Sequence, residues 1–550
     1  MIPRKFLGIL GLLAVLGVIG QTIARAETLT VADVNAIIAQ AAKAAAAYGT
    51  NSVIAVSDRE GYILGVAGVG KGAPSISAPS LATYGLAEFN AIDKAATAAY
   101  LSSNGEAFTS RTAGFIIQPH FPPGISNTGT GPLTGVGLSS LPFSDVNHFR
   151  NPHLSNPANP TADSIVNTSL SGNPGGVPLY KNGVLVGGVG VDSNLILSAL
   201  VYVDGISGDE SIALAGQAGY NPPQDLLATN VLINGIRLPY VNAVPPSPAA
   251  MATPTYDPAF PATDSPGHPF NTTTPSPFPD IPGGEVRNQI IGSTLGPVNG
   301  QPRLTQAEVM TILHQGAVRA SQTRGAIRNP IGPAEVFIVV VDYYNPASPA
   351  GTVAAVPTSP PTSVPQVLGS FRTPDATLFS YDVAAQKART ALFFSNNSMA
   401  MSSRAVGFLA QGTYPPGIDG TAVGPYGPPT YGGSNPLFLT NPALFPLFAP
   451  PFGIQTAVSV NPTAVPPIGT TPINPFLPNG ITVFPGGFPL YRNGVLIGAV
   501  GVSGDGVDQD DIICASATVG FEAPEFIRSD EFAYRGARLP YAKFPQNSSL

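Results

Sequence analysis

One block of residues occurs twice in this chain, and that constrains the fold more than any other feature. GGVPLYKNGVLVGGVGV, from Gly175 to Val191, returns as GGFPLYRNGVLIGAVGV, from Gly486 to Val502, with 13 of 17 positions identical. A second block, Lys94 to Ile125, aligns without gaps to Lys387 to Ile418 and shares half of its 32 positions. A third pairs Gly235-Ile236-Arg237-Leu238-Pro239-Tyr240 with Gly536-Ala537-Arg538-Leu539-Pro540-Tyr541. Fixed-order self-similarity of this kind marks a duplicated structural unit, with length changes confined to the connections. The copies span 27–244, with an insertion at about 119–173, and 301–545, with an insertion at about 412–484. Between them, 245–300 is rich in Pro, Ser and Thr and reads as a semi-extended linker with little regular structure.

Within each copy the pattern repeats element by element. Thr30 and Asp33 open an apolar series of Val34, Ile37, Ile38, Ala41, Ala42 and Ala45, and Thr305 and Glu308 open Val309, Ile312, Leu313, Gly316, Ala317 and Ala320. Both predict an amphipathic helix with a capped start. Ser52 to Ser57 and Tyr62 to Val66 predict strands around a turn at Asp58-Arg59-Glu60-Gly61, matched by Val336 to Val341 and Gln366 to Phe371. An alanine-rich helix follows from about Glu88 to Ser102 and from Tyr381 to Ser395. Asn182-Gly183 and Asn493-Gly494 predict two-residue type I′ hairpins. The order gives an α+β layer fold: a mostly antiparallel sheet with helices packed on it.

The N-terminus carries Arg4 and Lys5, an apolar run from Phe6 to about Ile19, and Ala24-Arg25-Ala26. This predicts a signal peptide over 1–26, cleavage near Ala26, and a secreted or periplasmic mature chain without a membrane span. Only 10% of residues are charged and the net charge is −7 with no basic cluster, which argues against nucleic acid as a partner. Cys514 is the sole cysteine, so intramolecular disulfides, thiolate zinc sites and covalent c-type haem attachment are excluded. Its apolar setting predicts a buried, inert thiol.

Three stretches resemble the GlcG/HbpS family, also similar to the PduO C-terminal domain: Ser52 to Asp58, Lys94 to Ala99, and Gly175 to Val191. Their counterparts are Val339 to Asp342, Lys387 to Ala391, and Gly486 to Gly504. The resemblance implies tandem profilin-like domains, self-association, and haem or a related tetrapyrrole as the small-molecule partner. The long insertions depart from the family pattern.

Candidate ligand residues follow from chemistry and register. Lys94 and Lys387 hold one helical position in both copies and suit a haem propionate, or else a structural acid. Arg111 and Arg404 also survive in register and are able to clamp a ligand carboxylate or form an internal ion pair. Haem iron takes an axial imidazole, thiolate, thioether or phenolate. The five histidines are unmatched between copies: His120 aligns with Thr413, while His148 and His153 form a possible metal pair in the first insertion. If haem binds, the copies should bind it unequally. Asp58 and Asp342 sit where Asp caps a turn. The glycines of GGVGV lie inside a strand and predict close approach of a helix or a neighbouring subunit, with no phosphate loop. No Ser-His-Asp arrangement, HExxH or paired-carboxylate motif is present, so no catalytic residue is assigned. The leading expectation is a non-catalytic haem-binding protein. The alternatives are a self-assembling structural protein that kept the fold without the ligand, and an enzyme acting on haem or a small organic acid.

Overall fold

Thr30 Oγ1 accepts from the Asp33 N–H, and the Asp33 carboxylate accepts from the Thr30 N–H. This capping box starts helix α1 (Val31–Tyr48), and Gly49 ends it in the left-handed conformation at φ 67°. In the computed structural model the described residues are 27–49, 51–70, 86–117, 121–123, 125, 131–133, 170–193, 208–266, 273–287, 290–343, 367–411, 413–416, 418, 421–422, 424–425 and 482–543. Residues 1–26, read above as a signal peptide, His120, and the pair His148 and His153 lie outside them.

After α1 come β1 (Ser52–Asp58), β2 (Ile63–Val69), α2 (Leu86–Leu101), α3 (Ser110–Ile116), β3 (Gly176–Lys181), β4 (Val184–Ser193) and α4 (Gly208–Gly216). Two short strands follow, β5 (Leu232–Ile233) and β6 (Ile236–Arg237). The second unit repeats the series as α5 (Gln306–Gln322), β10 (Phe337–Asp342), β11 (Val367–Arg372), α6 (Phe379–Phe393), α7 (Ser403–Leu409), β12 (Gly487–Arg492), β13 (Val495–Ser503) and α8 (Val507–Ala517). It closes with β14 (Ala533–Tyr534) and β15 (Ala537–Arg538). The sheets are antiparallel with strand orders β3-β4-β1-β2 and β12-β13-β10-β11, each extended at the last strand by the chain between the units.

Both faces of each sheet are covered, which explains why β1 is buried at every position instead of alternating. In the first unit Ile54, Val56 and Leu64 pack with α1 and α4, while Val53, Ala55 and Val66 join α2 on the opposite face. The α+β layer architecture is therefore the observed one. The hairpins read from Asn-Gly are present, with Asn182 and Gly183 at φ 51° and 80° and Asn493 and Gly494 at 50° and 77°.

The strand glycines bring α2 and α6 onto their sheets. A Cβ at Gly190 would lie 2.0 Å from the Ala91 carbonyl oxygen, and one at Gly501 would lie 2.0 Å from that of Ala384. The small residues of both helices face these positions. The close approach predicted from GGVGV is thus between helix and strand within one unit.

Two elements differ from the sequence reading. The Ser-Arg block, which carries no long apolar period, forms the short capped helices α3 and α7. The Pro-rich connection supplies β7 (Thr255–Tyr256), β8 (Thr273–Pro275) and β9 (Glu285–Arg287). β7 pairs with β2, and β9 pairs with β11, so the linker protects the open edge of each sheet. Its seryl hydroxyls fasten it further: Ser265 donates to Asp58 Oδ2 at 2.6 Å and Ser293 to Asp342 Oδ2 at 2.5 Å. Asp58 also accepts from the N–H groups of Glu60 and Tyr62, the turn-capping role expected of it.

The units meet across a polar seam. Arg59 pairs with Asp375, Arg372 Nη1 donates to Glu60 Oε1 at 2.8 Å, and the Asn104 N–H donates to Asp375 Oδ2 at 2.7 Å. The Ser103 hydroxyl donates to the Arg328 carbonyl at 2.7 Å.

Two outcomes follow. Gly501→Ala should lower unfolding free energy by about 1–3 kcal/mol, whereas Gly296→Ala, with open space around it, should change it by less than ~0.5 kcal/mol; urea unfolding separates them. Glu88, in the first turn of α2, is buried, and burial together with the Asp257 carboxyl of the linker pushes it up to about 9. A raised carboxyl pKa costs stability as pH climbs from the unfolded value towards 9. Glu88→Gln should therefore raise the melting temperature at pH 8 and leave it nearly unchanged at pH 4.

Candidate functional site

The duplicated cations converge on one internal knot in each unit. Lys94 projects from α2 to the start of α4, where Nζ donates to Asp209 Oδ2 at 3.0 Å, to Asp192 Oδ1 at 2.7 Å and to the Val191 carbonyl at 2.9 Å. Burial works against the ammonium, but Asp209 and Asp192 outweigh it and lift Lys94 above its ordinary value. Lys387 repeats this with Asp510 at 2.7 Å and the Val502 carbonyl at 2.8 Å. Burial pushes Asp510 up to about 6, against the pull of Lys387.

The arginines lie beside them. Arg111 Nε and Nη2 donate to the two oxygens of Glu210 at 2.8 and 3.0 Å, and Glu210 Oε2 accepts from the Asn242 N–H at 2.8 Å. Arg404 Nε donates to Asp511 at 2.8 Å and Nη2 to Asp508 at 2.9 Å, and Asp511 accepts from the Lys543 N–H at 2.8 Å. Ser110 and Ser403, each preceding the arginine, accept the N–H of Gly176 at 2.8 Å and of Gly487 at 2.9 Å. The knot therefore joins two helices, a strand end, the acidic helix and the terminal segment.

This placement bears on the four cations read from the sequence as ligand contacts. Lys94, Arg111 and Lys387 side chains are 1% exposed and Arg404 is 20% exposed, and carboxylates of the chain itself meet all four. The matching acids, Asp209-Glu210 and Asp510-Asp511, are neighbours in the sequence, but nothing local to them shows their pairing with Lys and Arg far along the chain. Among the described residues no group of three or more His, Cys, Asp and Glu is placed to hold a metal ion. The described His314 lies on α5 against Asp280 at 2.9 Å. Cys514 is buried and donates to the Val500 carbonyl, as its apolar setting predicted.

A different region distinguishes the units. In the second, Met401, Val406, Leu409, Tyr414 and Leu539 form a separate apolar cluster, flanked by Phe393, Phe394, Met399, Phe408, Phe532 and Tyr534. Tyr414 meets Phe408 edge-on at 5.6 Å and Tyr534 at 5.2 Å. Arg535 lies over the Tyr534 ring at 5.1 Å. In the first unit the aligned positions hold Phe108 for Met401, Phe121 for Tyr414, Val231 for Phe532, Ile233 for Tyr534 and Asn234 for Arg535. Tyr414 is 2% exposed, and its hydroxyl has no hydrogen-bond partner among the described residues. Leaving a buried hydroxyl unpaired costs about 1–3 kcal/mol. The rings meet edge-on, at 85° and 68°, and Met401, Val406, Leu409 and Tyr414 are all buried, so this cluster is a packed apolar core and not a slot for a planar tetrapyrrole. Comparing the copies position by position was the available signal for this cluster.

The knot generates one test. Lys387→Met strands a buried Asp510 and should cost about 3–5 kcal/mol in urea unfolding, while Lys387→Met with Asp510→Leu should recover most of that loss.

Residues 363–519 match the family model described as haem degrading protein HbpS-like. No curated protein matches the chain. Among solved structures, a PduOC:haem complex is 19% identical with a TM-score of 0.21, covering 40% of this chain and 97% of the other. Klebsiella pneumoniae protein ORFY is 17% identical with a TM-score of 0.20, covering 36% and 92%, respectively. A Streptomyces reticuli HbpS double mutant is 20% identical with a TM-score of 0.20, covering 37% and 93%. The chain is thus similar to the HbpS-like family, and the family match falls on the second unit, from β11 through α8.

Proposed function

We propose that this chain is a haem-binding protein of HbpS type, with its tetrapyrrole site in the second unit. The single observation that carries the reading is the match of residues 363–519, inside the second unit, to the HbpS-like family model. The first unit retains the same fold and knot but carries Phe121, Val231, Ile233 and Asn234 where the second has Tyr414, Phe532, Tyr534 and Arg535, and this difference supports unequal binding by the copies. Lys387 and Arg404 then fix α6, α7 and the terminal segment of that unit. We read the units as 27–244 and 301–545, two diverged copies joined by a linker that also serves as edge cover.

The chain's residues, in this reading, bind and orient the tetrapyrrole and exclude water from one of its faces. No catalytic group is assigned to them. The basic start, apolar run and Ala24-Arg25-Ala26 support export, and no described helix is long and apolar enough to cross a membrane. Self-association is proposed on the family resemblance, and light scattering of the purified chain checks it.

Titration of the purified full chain with haemin, followed by difference absorption, should give a shifted Soret band saturating at one equivalent per chain. No shift would sink the reading, and two equal sites would sink the asymmetry. Incubation of the loaded protein with reductant and oxygen should leave the Soret band intact; its loss with release of iron would convert binding into degradation.

A further inference from the structure

We infer that the seam between the two units is a proton-controlled latch, closed while the Glu106 carboxyl is protonated and opening as that carboxyl ionises. The first unit enters the seam with the loop 103–106. A Cβ on Gly105 would lie 2.5 Å from the Arg328 carbonyl oxygen, and the Asn104 N–H reaches Asp375 Oδ2 at 2.7 Å. Glu106 is buried in that loop, and its Oε2 has no hydrogen-bond partner among the described residues. The two charges that act on it are both acids: Asp505 from the β13–α8 connection of the second unit, and Asp225 from the turn Gln224–Leu226 of its own unit. The cations of the seam are engaged elsewhere. Arg59 pairs with Asp375, Arg372 with Glu60, and Arg328 Nη2 donates to the Gly504 carbonyl at 2.8 Å. Tyr180 on β3 donates at 3.1 Å to the backbone carbonyl of Glu106 and not to its carboxyl.

The second unit shows that the fold itself does not require these acids. Met399 holds the position aligned with Glu106, and Phe526 holds that of Asp225 and is 77% exposed. The acids thus stand on the copy whose end the other unit covers, and there they face a third acid. Asp505 is fixed in place: Oδ1 accepts the N–H of Ile327 at 2.8 Å and of Arg328 at 2.6 Å, and Oδ2 that of Asn329 at 2.9 Å. Closing the seam therefore takes the Glu106 carboxyl out of water and sets it against a negative charge that stays where it is. Burial first, then Asp505 and Asp225, push it up to about 8. Opening returns it to water and to the ordinary value of 4.5. The closed form holds the proton more tightly, so closure is strongest below the ordinary value. It weakens by up to about tenfold per pH unit until pH reaches the closed-state value, and changes no further above it.

Hydrogen–deuterium exchange of the full chain tests this at the Asn104 N–H, whose acceptor lies across the seam. Comparing wild type with Glu106→Gln at each pH cancels the chemical pH dependence of exchange. The ratio of wild-type to variant exchange rates at Asn104 should rise at least about tenfold between pH 5 and pH 8, while peptides from α5 stay equally protected in both proteins. Glu106→Met, which installs the residue of the second unit, should remove the pH dependence in the same way. A ratio that stays constant across this range for both variants would overturn the latch. So would a rise shared by the α5 peptides, because the second unit would then be loosening as a whole.

Discussion

The pairing of a lysine and an arginine with two successive acids is the interaction on which each unit depends. Lys94 with Asp209 and Arg111 with Glu210, and their counterparts Lys387 with Asp510 and Arg404 with Asp511, draw together elements that share little other contact. Buried charges of this kind contribute little net stability when complete and cost several kcal/mol when broken, so they act mainly to exclude alternative packings. The same residues fix where α3 or α7 sits relative to the β3 or β12 edge, through the seryl hydroxyl that precedes each arginine. They thereby place the ground on which the aromatic cluster of the second unit is built.

A second constraint is close packing of helix on sheet. Gly190 and Gly501 bring α2 and α6 so near their strands that no side chain fits between. The sheet is consequently covered on both faces, and its exposed strand edges become the remaining weakness. The Pro-rich segment answers that with β7 on one sheet and β8-β9 on the other, held by Ser265 and Ser293 on the matched aspartates. A connection that composition describes as a spacer is part of both sheets.

Duplication freed one copy to change. The knot, the hairpin glycines and the capping boxes persist in both units, whereas the cluster beside α7 and β14-β15 differs, with Tyr414, Phe532 and Tyr534 where the first unit has Phe121, Val231 and Ile233. That region lies in the unit matched by the HbpS-like family model, where the unpaired Tyr414 hydroxyl also sits.

Much of this was written in local sequence. Thr30 with Asp33 and Thr305 with Glu308 determined helix starts, Asn182-Gly183 and Asn493-Gly494 determined hairpins, and the repeated blocks determined that there are two α+β units, because these signals act between residues close in the chain. The short helices α3 and α7 escaped notice because seven residues carry too little periodicity. The partners of Lys94, Arg111, Lys387 and Arg404 also stayed hidden: a cation reads the same whether it awaits a ligand or an acid about 100 residues away, and only folding brings that acid within 3 Å. The linker strands were decided the same way, by the unpaired edges of sheets assembled elsewhere. The tertiary structure alone showed that Tyr414 is buried with its hydroxyl unpaired, since burial and partnership are properties of the packed neighbours and not of the residue.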